Sequence, residues 1–426
     1  MESRIFDQFL KVRAVSTDTR KITKDCIFFA LKGENFNGNS FALMALEQGA
    51  SMVVVDEEIS SDDERIILVD DVLTSLQNLS GRYRQTLKIP FLAITGSNGK
   101  TTTKELLRNV LLKKFRVSAT IGNLNNHIGV PLTLLSIPDD CEIAIIEMGA
   151  NHQGEIKSYC AYAAPDFGMI TNMGKAHLEG FGGEEGVVKG KKELYDYVHS
   201  HKGKLFVNVE LEKLKMASQG MDFIPYGFNS GGMHLELVSE SPVVNYQYAD
   251  KTFSGEFSTQ LAGAYNLYNI ASAIVVGQFF QVPIREIHEA ICEYTPDNNR
   301  SQLLKTERNL LIMDAYNANP SSLEFALKSL ANQQSEKKYF VMGDMRELGE
   351  SGPEEHKNML HIAASLGLNG ITVGPIFKAV SAENNFPAFN ENKEALEYLS
   401  KQNLEGFTIL VKGSRGIKLE ELLPAL

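Results

Sequence analysis

Basic charge, cysteine and long apolar runs are what this 426-residue chain has little of. Against 42 Lys and Arg stand 53 Asp and Glu, a formal net charge of −11. Binding along a nucleic-acid backbone leans on a basic face, so no nucleic-acid partner is expected. A phosphorylated ligand must instead be held by local devices: helix N-termini, a few Lys or Arg, and metal. The four cysteines, Cys26, Cys141, Cys160 and Cys292, have no C-x-x-C spacing. They read as reduced, buried side chains rather than a disulfide frame or a zinc site. No apolar run approaches the ~20 residues of a membrane span. The first ten residues carry charges where a signal peptide is apolar. The expectation is a cytoplasmic protein without membrane insertion. Its 43% hydrophobic and 22% charged content is that of a globular chain, with length for about three domains.

What is present is a phosphate cradle. An apolar stretch, Phe91 to Thr95, runs into Gly96-Ser97-Asn98-Gly99-Lys100-Thr101-Thr102. Leu106, Leu107, Val110 and Leu111 follow at helical spacing. In such a turn backbone N–H groups and a helix N-terminus point at an anion, a lysine neutralises it, and a hydroxyl is left for Mg²⁺. The longer G-x-x-x-x-G-K-[ST] pattern would need glycine where Ile94 stands, so this is the shorter T-G-x-x-G-K-T form. An ordinary strand-to-helix turn is the bland alternative.

Around the loop the chain alternates strand and helix, with no internal repeat. Short β-type runs at 26–31, 51–55 and 66–69 and a helix near 41–48 suggest a small α/β unit over residues 1–72. Residues 73–299 carry the loop and further apolar strands at 143–147, 168–172 and 205–208, implying a mostly parallel sheet covered on both faces. Alternation within 234–257 suggests antiparallel strands, and 266–280 is strongly helical. Residues 300–426 read as a doubly wound, Rossmann-like unit, with strands at 310–314, 339–343, 370–373 and 407–412 and helices at 321–331, 354–366 and 393–401. Polar residues cluster past its strand ends, where open α/β sheets bind ligands.

Several side chains fit phosphate chemistry. Lys100 at a helix start conflicts with the helix dipole unless an anion is bound. Thr101 is a candidate Mg²⁺ hydroxyl or a simple cap. Glu147 ends an apolar strand, where Mg²⁺·ATP sites place a metal carboxylate and where a surface glutamate also occurs. His177, in a glycine-rich segment, is either structural or a ligand. Lys189, Lys191 and Lys192 alone look like a solvated face of a helix over 188–199. Asn266, Asn269, Arg300, Asp314, Asn317 and Asn319 form a second polar set; Asn269, on an apolar helix, must find a partner or face a ligand. Ser16-Thr17-Asp18-Thr19-Arg20 is a turn with a surface charge pair or an anion site.

Taken in order, these stretches resemble the Mur ligase family over essentially the whole chain. The resemblance rests on the loop, Ser16 to Arg20, Gly122 to Pro131, Glu147 to His152, Ala176 to Gly180, Asp314 to Pro320, Gly343 to Gly349 and Lys412 to Gly416. Asn123-Leu124-Asn125-Asn126 and Tyr316-Asn317-Ala318-Asn319-Pro320 look like the branch that joins D-alanyl-D-alanine to UDP-N-acetylmuramoyl-tripeptide. The resemblance implies an ATP- and Mg²⁺-dependent ligase acting as a monomer, with those two molecules as substrates. It implies ATP contacts from Gly96 to Thr102 and from Asn269, Arg300, Asp314 and Asn317. Substrate contacts would come from Ser16, Thr17, Asp18, Thr19, Arg20, Asn125 and Asn126. Metal ligands would be Thr101, Glu147, His177 and a carbamylated Lys191, with Lys100, Lys191 and His177 catalytic; Lys189 or Lys192 could instead carry the carbamate. Asn37 and Asn39 depart from the Asp and His frequent in relatives. A folate-type amide ligase and a non-catalytic nucleotide switch are the competing readings. The separate N-terminal unit argues against the first, and a second metal site argues against the second.

Overall fold

The computed structural model describes residues 1–297, 299–381 and 386–426. Three parallel-rich sheets follow one another along the chain. The first orders Val15–Ser16, Ile27–Phe29, Met52–Val55 and Ile66–Leu68, all parallel. The second orders Phe223–Tyr226, Lys204–Asn208, Phe167–Ile170, Phe91–Thr95, Ile143–Glu147 and Val117–Ala119, again all parallel. Its central strands Phe91–Thr95 and Ile143–Glu147 are buried on both faces, which is why they read as apolar runs. Helices Val72–Thr86, Glu155–Ala163 and Glu184–Ser200 pack on one face, and Lys100–Leu112 and Asn266–Phe279 on the other.

The third sheet orders Gln302–Lys305, Leu310–Asp314, Thr408–Lys412, Lys338–Gly343, Asn369–Val373 and Ala388–Phe389. All of its pairs are parallel except the first, an antiparallel edge that the sequence pattern had not suggested. Helices Pro320–Asn332 and Gly352–Ser365 cover one face; Asn392–Leu399 covers the other.

Two expectations are corrected. Residues from Val72 onward open with a helix, Val72–Thr86, before the loop strand; the Asp71 carboxylate accepts from Thr74 N at 2.6 Å and caps it. The helix expected over 188–199 begins earlier, at Glu184, next to a left-handed glycine pair, Gly182 and Gly183. The antiparallel expectation holds: His234–Ser239, Asn245–Ala249 and Ser254–Ser258 form a meander with a register shift between Leu237 and Ser239. All four cysteines are free, three of them buried.

The meander packs on helix Ile284–Glu293 through a caged histidine. His288 is fully buried, its Nδ1 lies 2.8 Å from Tyr246 Oη, and its ring stacks on Phe257 at 4.1 Å. Its Nε2 has no partner among the described residues. Burial pulls its pKa down to about 4, against the opposing charge of Asp250. The unfolded chain binds this proton from about pH 6.5 downward, whereas the fold refuses it until about pH 4. Stability should therefore fall with pH across that window, by up to about 3 kcal/mol. Denaturant midpoints at pH 7 and pH 4.5 check this: His288→Leu should lose clearly less than the parent over the interval, and equal losses would contradict it.

Candidate active site

The loop's shape depends on two glycines. Gly96 (φ +146°) and Gly99 (φ +79°) hold backbone conformations that side chains rarely adopt. A Cβ at Gly96 would run into Thr171 Oγ1, and one at Gly99 would sit 2.5 Å from Asn269 Oδ1. The neighbouring strand end fastens the loop: Ser97 N donates to Asn172 O at 3.0 Å, Asn98 N to Asn172 Oδ1 at 3.0 Å, and Thr171 Oγ1 to Asn98 O at 2.6 Å.

Lys100 Nζ folds back over the loop, donating to Gly96 O at 2.6 Å and Ser97 O at 3.3 Å. Burial and the nearby Arg300 draw its pKa down to about 8, although Glu147 pulls the other way. Glu147 is adjacent because its strand pairs Glu147 with Ile94 in register. One of its oxygens, Oε1, accepts from Thr101 Oγ1 at 3.0 Å and Asn125 Nδ2 at 2.8 Å. The other, Oε2, is buried with no partner among the described residues, a costly state for a carboxylate oxygen.

Lys191 is fully buried, with its Nζ 4.9 Å from the Phe181 ring centre. Its one side-chain hydrogen bond among the described residues, to Ala150 O, is long at 3.4 Å. Burial first, then Lys100, drives its pKa well below the usual lysine value. His177 stands in a left-handed conformation (φ +52°), and its Nδ1 lies against the carboxylate of Glu347, itself left-handed (φ +65°), from the third unit. That contact holds Glu347 below the ordinary carboxylate pKa.

The third unit lies against the loop. Asn319 Nδ2 donates to Asn98 Oδ1 at 2.7 Å, and Lys175 N to Ser321 Oγ at 3.1 Å. A cavity of about 460 Å³ is enclosed between the two units. Of the expected residues, Ser97, Asn98, Gly99, Lys100, Thr102, Asn125, Asn126, Glu147, His177, Asn269, Arg300, Asp314 and Asn317 line it. Thr101 and Lys191 stand just behind the wall, bonded to lining Glu147 and Ala150. Asn269 meets both halves of its expectation: it bonds Thr103 Oγ1 at 3.1 Å and Asn266 Oδ1 at 2.8 Å, and also faces the cavity. Asn126 is engaged in part with its own backbone turn, its Oδ1 accepting from Gly129 N at 2.8 Å. Asp314 is paired with Lys412 Nζ at 2.5 Å, and Arg300 lies 3.7 Å over the Tyr316 ring.

Ser16 to Arg20 do not reach this cavity. They form a tight turn in which Asp18 accepts from Arg20 N, Nε and Nη2 at 2.8–3.0 Å; the Arg20 contact brings Asp18 to about pKa 2. Asn319 of the second polar set also lines the cavity; Tyr316 and Lys412 do so without having been singled out as site residues. The signal that could have found them is their place immediately past strand ends of a parallel sheet.

Among the described residues no three His, Cys, Asp or Glu side chains form a metal cluster. Mg²⁺ takes one or two protein ligands and fills its shell with water and phosphate oxygens. The unpartnered Glu147 oxygen beside the Thr101 hydroxyl therefore fits that ion.

A glycine loop at a helix N-terminus, a lysine and an orphaned carboxylate, closed over by a second α/β unit, define an ATP-dependent enzyme of the phosphate-loop class. The family models agree along the chain: residues 11–84 match "Mur ligase family, catalytic domain", 94–277 "Mur ligase middle domain", and 299–415 "Mur ligase, glutamate ligase domain". The chain is 34% identical over 428 residues to the UDP-N-acetylmuramoyl-tripeptide–D-alanyl-D-alanine ligase of Bacillus subtilis (strain 168), covering 97% of this chain and 93% of that one. Its fold superposes on MurF from Acinetobacter baumannii with a TM-score of 0.88 at 30% identity, covering 96% and 92% of the two chains. It also matches the MurF ligase of Thermotoga maritima in complex with ADP, with a TM-score of 0.86 at 25% identity, covering 98% and 97%. The chain belongs to the Mur ligase family. No helix among the described residues is long and apolar enough to cross a membrane.

Proposed function

We propose that this chain joins D-alanyl-D-alanine to UDP-N-acetylmuramoyl-tripeptide at the expense of ATP, a step of peptidoglycan precursor synthesis. The observation that carries the reading is a single cavity lined both by the phosphate loop and by Arg300, Asp314 and Asn317 of the third unit. Relatives named for this reaction match the chain from end to end, the first 84 residues included. A folate-type ligase has no use for that N-terminal unit. We take residues 1–72 as the seat of the UDP group, 73–299 as the ATP unit and 300–426 as the unit that closes on it. The enzyme works in the cytoplasm as a monomer.

In the reaction the tripeptide carboxylate attacks the γ-phosphorus of ATP, ADP leaves, and an acyl phosphate forms. The dipeptide amine then attacks the acyl carbon, phosphate departs, and the amine loses a proton. Two anions must meet in the first step, so neutralising charge is the main physical requirement. Lys100 and the loop N–H groups hold the β- and γ-phosphates, with Arg300 reaching them from the facing unit. Asn269 and Asn317 orient the rest of the nucleotide. Mg²⁺ held by Thr101 and Glu147, with a second ion held by His177 and carbamylated Lys191, would supply further positive charge for this encounter. The hydrogen bond between Asn98 and Asn319 draws the third unit onto the loop, and closure there would keep water from the acyl phosphate. Ser16 to Arg20, Asn125 and Asn126 contact the UDP-linked acceptor.

Phosphate release measured with ATP tests this directly. Release should require the UDP-linked tripeptide and D-alanyl-D-alanine together, and a folate should not replace the acceptor. Release that ignores the dipeptide would overturn the assignment.

A further inference from the structure

Four cations of the third unit bear on the cleft: Arg300 and Lys412 line it, Arg415 shares the Tyr316 ring with Arg300, and Arg346 lies on the adjoining loop. Three of them have something to do. Lys412 is neutralised by Asp314 at 2.5 Å. Arg346 donates to Gly416 O at 3.4 Å and lies in the field of Glu347. Arg300 lies against Tyr316 and acts on the pKa of Lys100, which places it toward the phosphates. The fourth, Arg415, is exposed and has no carboxylate or carbonyl partner among the described residues. Its guanidinium lies 5.4 Å from the centre of the Tyr316 ring, the ring that Arg300 also covers. Two guanidiniums gathered on one tyrosine without a counter-ion repel each other, and an anionic ligand relieves that.

The backbone holds this arrangement in place. Arg415 follows the strand Thr408–Lys412, and Arg346 follows its parallel neighbour Lys338–Gly343. Arg346 N donates to Ser414 Oγ at 3.0 Å and Ser414 N to Asp344 O at 3.2 Å, so the two strand-end loops are stitched together beneath Arg415. The Arg346 guanidinium packs so tightly on Gly416 that a Cβ there would collide with it.

Resting on the reading above, we propose that Arg415 binds the terminal carboxylate of the incoming dipeptide and so selects a nucleophile with a free acid end. A dipeptide spans about 7 Å from amine to carboxylate. Its acid end therefore sits about 7 Å from the carbon that its amine attacks. Tyr316 lines that cavity, and Arg415 stands on the ring. A guanidinium recognises a carboxylate by two parallel hydrogen bonds, which a carboxamide cannot accept in the same way.

The test compares D-alanyl-D-alanine with D-alanyl-D-alaninamide in parent, Arg415→Ala and Arg415→Lys enzymes. The parent should prefer the acid by about ten- to a hundredfold in kcat/KM. Arg415→Ala should raise the dipeptide KM by a similar factor, leave the KM for ATP unchanged and erase the preference. Arg415→Lys should retain part of it, keeping the charge but losing the fork. An alanine variant that still prefers the acid, or whose ATP KM rises in step with the dipeptide KM, overturns the proposal. A parent enzyme with no dipeptide-dependent phosphate release overturns the ligase reading and this inference with it, a result separable from the other two.

Discussion

Lys100→Ala should lower turnover by about 10²-fold or more, the scale of losing one preorganised charge at a site where negative charge gathers. Nothing in the resting fold depends on this ammonium for a carboxylate partner: its hydrogen bonds run back to Gly96 O and Ser97 O of its own loop. Truncation should therefore leave the melting temperature nearly unchanged and remove chemistry. Burial has already drawn the Lys100 pKa to about 8, and a triphosphate in the loop would favour the charged form again. Glu147→Gln should behave alike by another route. It removes the charge that faces Thr101 and leaves an amide where an orphaned carboxylate oxygen stood. Initial rates of phosphate release at saturating ATP, acceptor and dipeptide, run beside thermal melts, check both. Near-normal turnover in either variant would refute its role.

How far the sequence could be read depends on how local each signal is. The strand Leu310–Asp314 and the loop with its helix are written in adjacent residues, apolar run then glycine then helix start. Lys100, Thr101 and Glu147 were legible for the same reason: Lys100 and Thr101 open the helix that follows one strand, Glu147 ends the neighbouring strand, and pairing brings the two together. The edge strand Gln302–Lys305 was hidden because its pairing with Leu310–Asp314, not its composition, makes it a strand. The helix Val72–Thr86 did carry a local signal, the Asp71 cap, followed by a mixed polar and apolar face. Contacts across the cleft were out of reach altogether. No spacing links Asn98 to Asn319, 221 residues apart, or His177 to Glu347. Ser16 to Arg20 mark the opposite limit: the turn was legible, but not its place, because Asp18 spends its hydrogen bonds on Arg20.

Lys191→Ala should cost activity on a similar scale, about 10²-fold, and should be partly restored by a small carboxylate such as formate or acetate. A buried ammonium carries three N–H groups that each need an acceptor. Among the described residues Lys191 has a single long bond, to Ala150 O, and an aromatic ring beside it, and the charge of Lys100 acts on it more than those of Glu155 and Glu193, which oppose it. That environment favours the neutral amine, which is the form that reacts with CO₂. Its nitrogen bonds the carbon, one proton is released, and the product is an anionic carbamate. Such a carbamate would turn the amine into a carboxylate-like ligand. Neither flanking lysine shares this setting: Lys189 lies on the helix's outer side, and Lys192 is ion-paired with Asp196 one turn on. With ¹³C-bicarbonate the parent chain should show a carbamate carbonyl resonance that Lys191→Ala lacks, whether or not substrates are present. Stripping bicarbonate should slow the parent and leave the variant unaffected. An alanine variant with parental turnover would remove the carbamate from the mechanism, as would a parent chain without that resonance.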